Sequence, residues 1–284
     1  MTDIIKANQK LLTYNKLPPC KGPKLHAFRD SKAPITFIEL LERPGVATSS
    51  VQGYVFKVSI KSRVYALKVF KFYKPSDGKQ HLSKMREELV TEELAVFHCD
   101  PFYAECRAYG RIDELKKKGI IKEKTAADCY GFLRINSEDE RKIAQMGVSL
   151  WDLPKEDEYR RKAEGSPVRA IVKEYIEGTT IFGLRNCRRM LKNLRLLNEH
   201  GILLRDIKED NYKAGVLIDF GSAWTEPHAI MDAVPREVAE DWRGADMQMF
   251  DDMLGDHGLH SRLRALPNIR YQKMLRSWKR SKPS

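Results

Sequence analysis

The chain of 284 residues is long enough to bury a full core, as one two-lobed domain or two small ones. Its 51 Lys and Arg outnumber 39 Asp and Glu, and the net charge of +12 favours acidic partners: nucleic acid, phosphate-rich ligands or an acidic protein surface. No apolar run reaches the roughly 18–20 residues of a bilayer span, residues 1–10 do not read as a signal peptide, and five scattered cysteines without a CxxC pair give no zinc site or disulfide framework, so reduced thiols in the cytoplasm or nucleus are expected, with no membrane partner.

Residues 1–34 hold Pro18, Pro19, Pro23 and Pro34 among several lysines and read as an extended arm, with one short helix near 3–12. Three β-rich runs follow, beginning at Ile35, Gly53 and Arg63, and predict an antiparallel meander. Residues 74–100 are polar and helix-prone. Pro101 opens a helix over Phe102 to Lys117, ended by Gly119. Cys129 to Ile135 predicts a fourth strand, and Val168 to Tyr175 a fifth, broken by Gly178. Between them, residues 136–167 are charged and read as an inserted loop with a local helix.

Residues 184–199 predict a basic amphipathic helix. Leu184, Met190, Leu191, Leu194 and Leu197 form its apolar side, and Arg185, Arg188, Arg189, Lys192 and Arg195 line the other. Asp246 to Leu254 reads as one core helix. A basic tail closes the sequence, with Arg262, Arg264, Arg270, Lys273, Arg276, Lys279, Arg280 and Lys282 around Tyr271 and Trp278.

The most informative stretch is residues 204–221, Leu-Arg-Asp-Ile-Lys-Glu-Asp-Asn-Tyr-Lys-Ala-Gly-Val-Leu-Ile-Asp-Phe-Gly. It gathers Asp206, Lys208, Asn211 and Asp219 into one loop and one short hairpin. Phosphoryl transfer needs such a set: a carboxylate to orient the attacking hydroxyl, a Lys to offset charge, and an Asn and a second Asp to hold metal.

This string resembles the catalytic loop and DFG element of protein kinases, with Leu204 in place of the usual His. Tyr65-Ala-Leu-Lys-Val resembles the VAIK strand, which implies that Lys68 grips the α- and β-phosphates of ATP. A Lys in an apolar strand needs a partner. Glu105 on the following helix is the best match, with Glu88 and Glu92 as alternatives. Ile171-Val-Lys-Glu-Tyr-Ile-Glu-Gly resembles the last small-lobe strand and the hinge, where Glu174 and Ile176 would present backbone groups to adenine.

The resemblance implies a bilobal α+β fold. An antiparallel-sheet N-lobe over 35–177, with insertions at about 74–100 and 136–167, precedes a shortened, mainly helical C-lobe and basic tail over 178–284. It implies ATP and Mg²⁺ as cofactors, with Asp206, Lys208, Lys68 and Glu105 in catalysis. Gly53, Val55, Lys68, Glu174 and Ile176 would bind nucleotide, and Asn211 and Asp219 would bind metal. A narrower likeness rests on Val-Tyr-Ala-Leu-Lys-Val-Phe-Lys-Phe-Tyr, Asp-Pro-Phe-Tyr-Ala-Glu-Cys-Arg-Ala-Tyr-Gly-Arg and Asp-Ile-Lys-Glu-Asp-Asn-Tyr. These strings resemble a fungal kinase-like family named for a subunit of the Sim4 kinetochore complex, which implies a fungal source.

Four features depart from the kinase pattern. The glycine-rich loop, Gly45 to Gly53, keeps Gly53 and Val55 but has Ser and Thr in its middle. Lys173 stands at the gatekeeper position, from which it would snorkel past the adenine pocket or pair with an acidic neighbour. The step from Asn211 to Asp219 is short, as in small-molecule kinases of the same superfold. No clear APE element follows Asp219; Val234 to Glu237 is at best a remnant, and Ser222 and Thr225 are the only nearby hydroxyls for phosphorylation.

Three functions are therefore expected in turn: an ATP-dependent phosphotransferase acting on a hydroxyl, with protein Ser/Thr first; a pseudokinase or adaptor docking a protein partner; and a small-molecule kinase. Nucleic-acid binding by the basic tail is a lesser reading.

Overall fold

The computed structural model describes residues 17, 21–41, 52–74, 88–178, 182–260 and 262–266. The expected helix near 3–12, most of the Gly45–Gly53 loop, residues 75–87 and the tail from Arg270 to Lys282 lie outside the described residues.

Five strands form one antiparallel sheet: β1 (Ile35–Leu40), β2 (Gly53–Ile60), β3 (Arg63–Phe70), β4 (Cys129–Arg134) and β5 (Arg169–Glu174), in the order β1-β2-β3-β5-β4. β3 is buried from Tyr65 to Phe70, as a central strand covered on both faces must be. On one face, Phe56, Val58, Leu67, Val69, Ala170 and Val172 alternate along β2, β3 and β5. Phe28 of the N-terminal arm and Ile143 cover that face. The described part of the arm is not loose: the Phe28 N–H donates to Phe132 O at 2.7 Å and the Phe132 N–H returns to His26 O at 3.1 Å.

The opposite face packs on two helices joined at Asp100, α1 (Glu92–Cys99) and α2 (Pro101–Lys117). Asp100 caps α2 by accepting the Phe102 N–H at 2.9 Å, Pro101 takes the first turn, and Lys116 and Lys117 lie in the last turn, the favoured end for cations. The second Asp100 oxygen takes the Arg169 guanidinium, which ties this elbow to β5. The 136–167 insertion holds two short helices rather than one, α3 (Ser137–Gln145) and α4 (Glu158–Ala163), capped by Asn136 and Asp157.

The second lobe is mainly helical. α5 (Leu184–Glu199) buries Cys187, Met190, Leu191, Leu194 and Leu197 and leaves its Arg and Lys stripe exposed. A loop through β6 (Ile202–Leu203) leads to the hairpin β7 (Tyr212–Lys213) and β8 (Val216–Leu217). Its two-residue turn has both φ angles positive, Ala214 at 49° and Gly215 at 71°, the signature of a type I′ turn. β9 (Trp224–Thr225) pairs back onto β6. After the short α6 (Ala229–Asp232), α7 (Arg236–Asp256) runs much further than the Asp246–Leu254 core read from sequence. The extra half carries Val238, Ala239, Trp242 and Ala245 among charged residues, and Trp242 packs edge-on against Trp224 at 5.3 Å.

One apolar core crosses both lobes. It joins Phe70 and Ile171 of the sheet to Phe102 and Tyr109 of α2, then to Leu204, Phe220, Leu194 and Phe250. The molecule thus has a bilobal α+β architecture, an antiparallel-sheet lobe followed by a mainly helical lobe. Among the described residues, no helix is long and apolar enough to cross a membrane.

Candidate active site

The site lies where β3, α2, β5 and the two loops of the helical lobe meet. β2 and β3 pair so that Val55 is opposite Lys68, and both therefore project from one face of the sheet. β5 pairs Ala66 with Lys173, which sets Lys173 on that same face. Glu105 rises from α2, buried to 0% exposure, and meets both ammonium groups. Its Oε2 lies 3.0 Å from Lys68 Nζ and its Oε1 2.7 Å from Lys173 Nζ. Lys68 also bonds Asp219 Oδ1 at 2.6 Å, and Lys173 donates to the Ile218 carbonyl at 2.8 Å. Of the alternative partners, Glu88 is exposed, and the Glu92 side chain lies outside the described residues.

This quartet holds two ammoniums and two carboxylates. Burial on its own would raise the Asp219 pKa, but the charges of Lys68 and Lys173 and the Gly221 N–H pull it to about 2. Desolvation would depress Lys68; Asp219 and Glu105 overcome it and raise the pKa instead. Lys173 had two readings in the sequence, and the structure gives it the acidic partner.

Asp206, Lys208 and Asn211 make a second set of contacts. Lys208 Nζ lies 3.0 Å from Asp206 Oδ2, both side chains partly exposed. Asn211 Nδ2 donates to Asp206 O at 2.7 Å and to its Oδ2 at 3.2 Å. The Ile218 N–H donates to Asn211 O at 2.9 Å, so the type I′ hairpin brings Asn211 back toward Asp219. Phe220 is buried edge-on against Tyr109 at 5.0 Å, one turn beyond Glu105 on α2. Leu204 joins that apolar cluster where a His would have needed a polar partner.

Gly53 opens β2 and Val55 follows on it. A Cβ on Gly53 would lie 2.3 Å from Val69 O, so strand packing by itself demands glycine there. Beside it, Gln52 Nε2 donates to Ser222 Oγ at 2.9 Å and lies against Gly221. Glu174 pairs its side chain with Lys124 and gives its N–H to Asp128 O at 2.8 Å. Ile176 is half-buried two residues past β5.

Asp219 and Asn211 suit a magnesium ion in kind and number. Asp219 Oδ1 is occupied by Lys68 and Gly221, whereas Oδ2 takes no bond from the described residues, and the side chain is 33% exposed. No cluster of three or more His, Cys, Asp or Glu exists among the described residues. A cation here would keep water or phosphate oxygens as its other ligands, which is how Mg²⁺ is usually held.

Three residues escaped the sequence reading. Asp246 of α7, fully buried, accepts the N–H groups of Leu204 at 2.6 Å and Arg205 at 2.8 Å, with Asn198 Nδ2 at 2.7 Å. Its signal was its place in the stripe 246, 250, 253 and 254, where a carboxylate must find donors. Arg107, two residues past Glu105, donates to Thr225 O at 2.8 Å and to Pro227 O at 2.5 Å, and to one ring nitrogen of His98. Gln52 is the third. Thr225 is 3% exposed within β9, so it is not an accessible phosphorylation site. Arg205 stacks its guanidinium on Trp224 at 3.6 Å.

Because Arg107 donates to His98, that ring must stay neutral. Burial first, then the Arg107 charge, depress His98 to about 3, and burial lowers His228 well below its usual value. Between about pH 3 and 6.5 the unfolded chain binds more protons at these rings, so stability falls as pH drops below 6.5. Unfolding by urea at pH 7 and pH 5 is expected to show a loss of about 2 kcal/mol per histidine. The His228→Phe variant should lose about half of that pH slope.

Residues 13–224 match the family model described as "Kinetochore Sim4 complex subunit FTA2". No curated protein matches the sequence. Among solved structures, "Structure of vaccinia related kinase 3" is similar over 78% of this chain and 57% of that one, at 12% identity and a TM-score of 0.37. The chain therefore spans little more than half the length of that kinase chain. With its model matched across most of the sequence, from the arm through β9, the chain belongs to the family of the kinetochore Sim4 complex subunit FTA2.

Proposed function

We propose that this protein is an ATP-dependent phosphotransferase that transfers a phosphoryl group to a hydroxyl, most simply a Ser or Thr of a protein. The observation that carries the reading is the convergence of Lys68, Glu105 and Asp219 beside the Asp206, Lys208 and Asn211 loop. ATP with Mg²⁺ would supply the γ-phosphoryl group and offset charge along the phosphates. Lys68, fixed by Glu105, holds the nucleotide phosphates. Asp219 and Asn211 would hold the cation. Asp206 accepts the hydroxyl proton, and Lys208, 3.0 Å away, offsets charge as the phosphoryl group moves.

Calorimetry of ATP on the wild type and Lys68→Met tests the first half. Lys68→Met leaves Glu105 paired with Lys173, so the variant should fold and bind ATP at least about tenfold more weakly. Asp206→Asn tests the second half. It should bind ATP normally while phosphoryl transfer to a generic protein substrate falls by about 10²–10⁴-fold. Wild-type protein that is folded and takes up no ATP would refute the reading.

A second reading, a kinase-like adaptor of a kinetochore assembly, is supported by the family's description and by Gln52 lying over Gly221. On either reading a chromosomal, nuclear location and protein partners are proposed from the family.

A further inference from the structure

Lys173 adds a cation that the motif does not call for. Glu105 sits between it and Lys68, one oxygen to each, at 2.7 and 3.0 Å. Lys173 is 4% exposed and its other bond reaches Ile218 O, the carbonyl just before Asp219. Lys68, Glu105 and Asp219 alone would carry one net negative charge. With Lys173 the cluster is neutral.

Two consequences follow from that count. Lys68 can leave Asp219 for a phosphate without stranding Glu105, because Lys173 keeps that carboxylate paired. A divalent cation approaching Asp219 also meets a fixed ammonium one residue away, which opposes it and does part of its work against phosphate charge. We propose that Lys173 is a built-in counter-ion that positions Glu105 and lets the site capture a nucleoside triphosphate with little dependence on divalent metal. Metal is then needed for phosphoryl transfer more than for binding. This inference rests on the nucleotide-binding reading above.

The test is calorimetry with ATP, in Mg²⁺ and in EDTA, on the wild type and on Lys173→Met. Wild-type affinities in the two buffers should agree within about threefold, whereas Lys173→Met should weaken by about tenfold or more in EDTA and recover in Mg²⁺. The wild-type comparison stands alone if the variant does not fold. ATP bound in Mg²⁺ and lost in EDTA by the wild type overturns the inference and leaves the proposed function intact. No ATP bound in either buffer overturns both.

Discussion

Glu105→Gln is expected to destabilise the protein by about 3–5 kcal/mol, the cost of breaking a buried ion pair from one side. Gln has the volume of Glu and can accept one hydrogen bond, but it carries no charge. Lys68 keeps Asp219 at 2.6 Å. Lys173, 4% exposed, loses its carboxylate and becomes a buried ammonium with no counter-charge of its own. Urea unfolding of the single variant and of Glu105→Gln/Lys173→Met separates charge from packing. The double variant removes the stranded cation and should regain at least about half of the loss. A single-variant cost below about 1 kcal/mol, the range of exposed pairs, would show that the quartet is hydrated and does not stiffen the site.

The elements legible in the sequence are those whose pattern is local. Alternating Val, Tyr and Phe fixed β2 and β3, and the Asp100-Pro101 cap with the stop at Gly119 framed α2. The catalytic-loop string is contiguous, so Asp206, Lys208 and Asn211 could be read together. The partner of Lys173 could not. It depends on β5 pairing with β3 in a register that turns Lys173 toward α2, a fact about two strands more than 100 residues apart. The length of α7 was equally hidden. Its first half fully buries only Ala239 and half-buries Val238, Trp242 and Ala245 among charged residues, so its apolar stripe is thin. Arg107 looked like one more charge on a basic chain. Its role appears only when β9 and the Thr225–Pro227 turn arrive beside α2.

That same long-range logic predicts a second large effect, at Asp246. Asp246→Ala is expected to cost about 3–5 kcal/mol, since it leaves the buried Leu204 and Arg205 N–H groups without acceptors. Arg205 makes the loss worse. Its φ of 61° is left-handed, a conformation costing about 1 kcal/mol or more for a residue with a side chain. Two contacts hold it there: the Asp246 carboxylate on its backbone and Trp224 under its guanidinium. Asp206 is the next residue, so its direction is set by the turn that Asp246 anchors. Asp246→Asn keeps one acceptor and should lose about 1–3 kcal/mol. Amide hydrogen exchange gives the decisive readout: protection should vanish at one of Leu204 and Arg205 in Asp246→Asn, and at both in Asp246→Ala, while the β2–β3 amides keep theirs. Uniform loss of protection across the chain would instead make Asp246 a general core residue, with no special hold on the loop that carries Asp206.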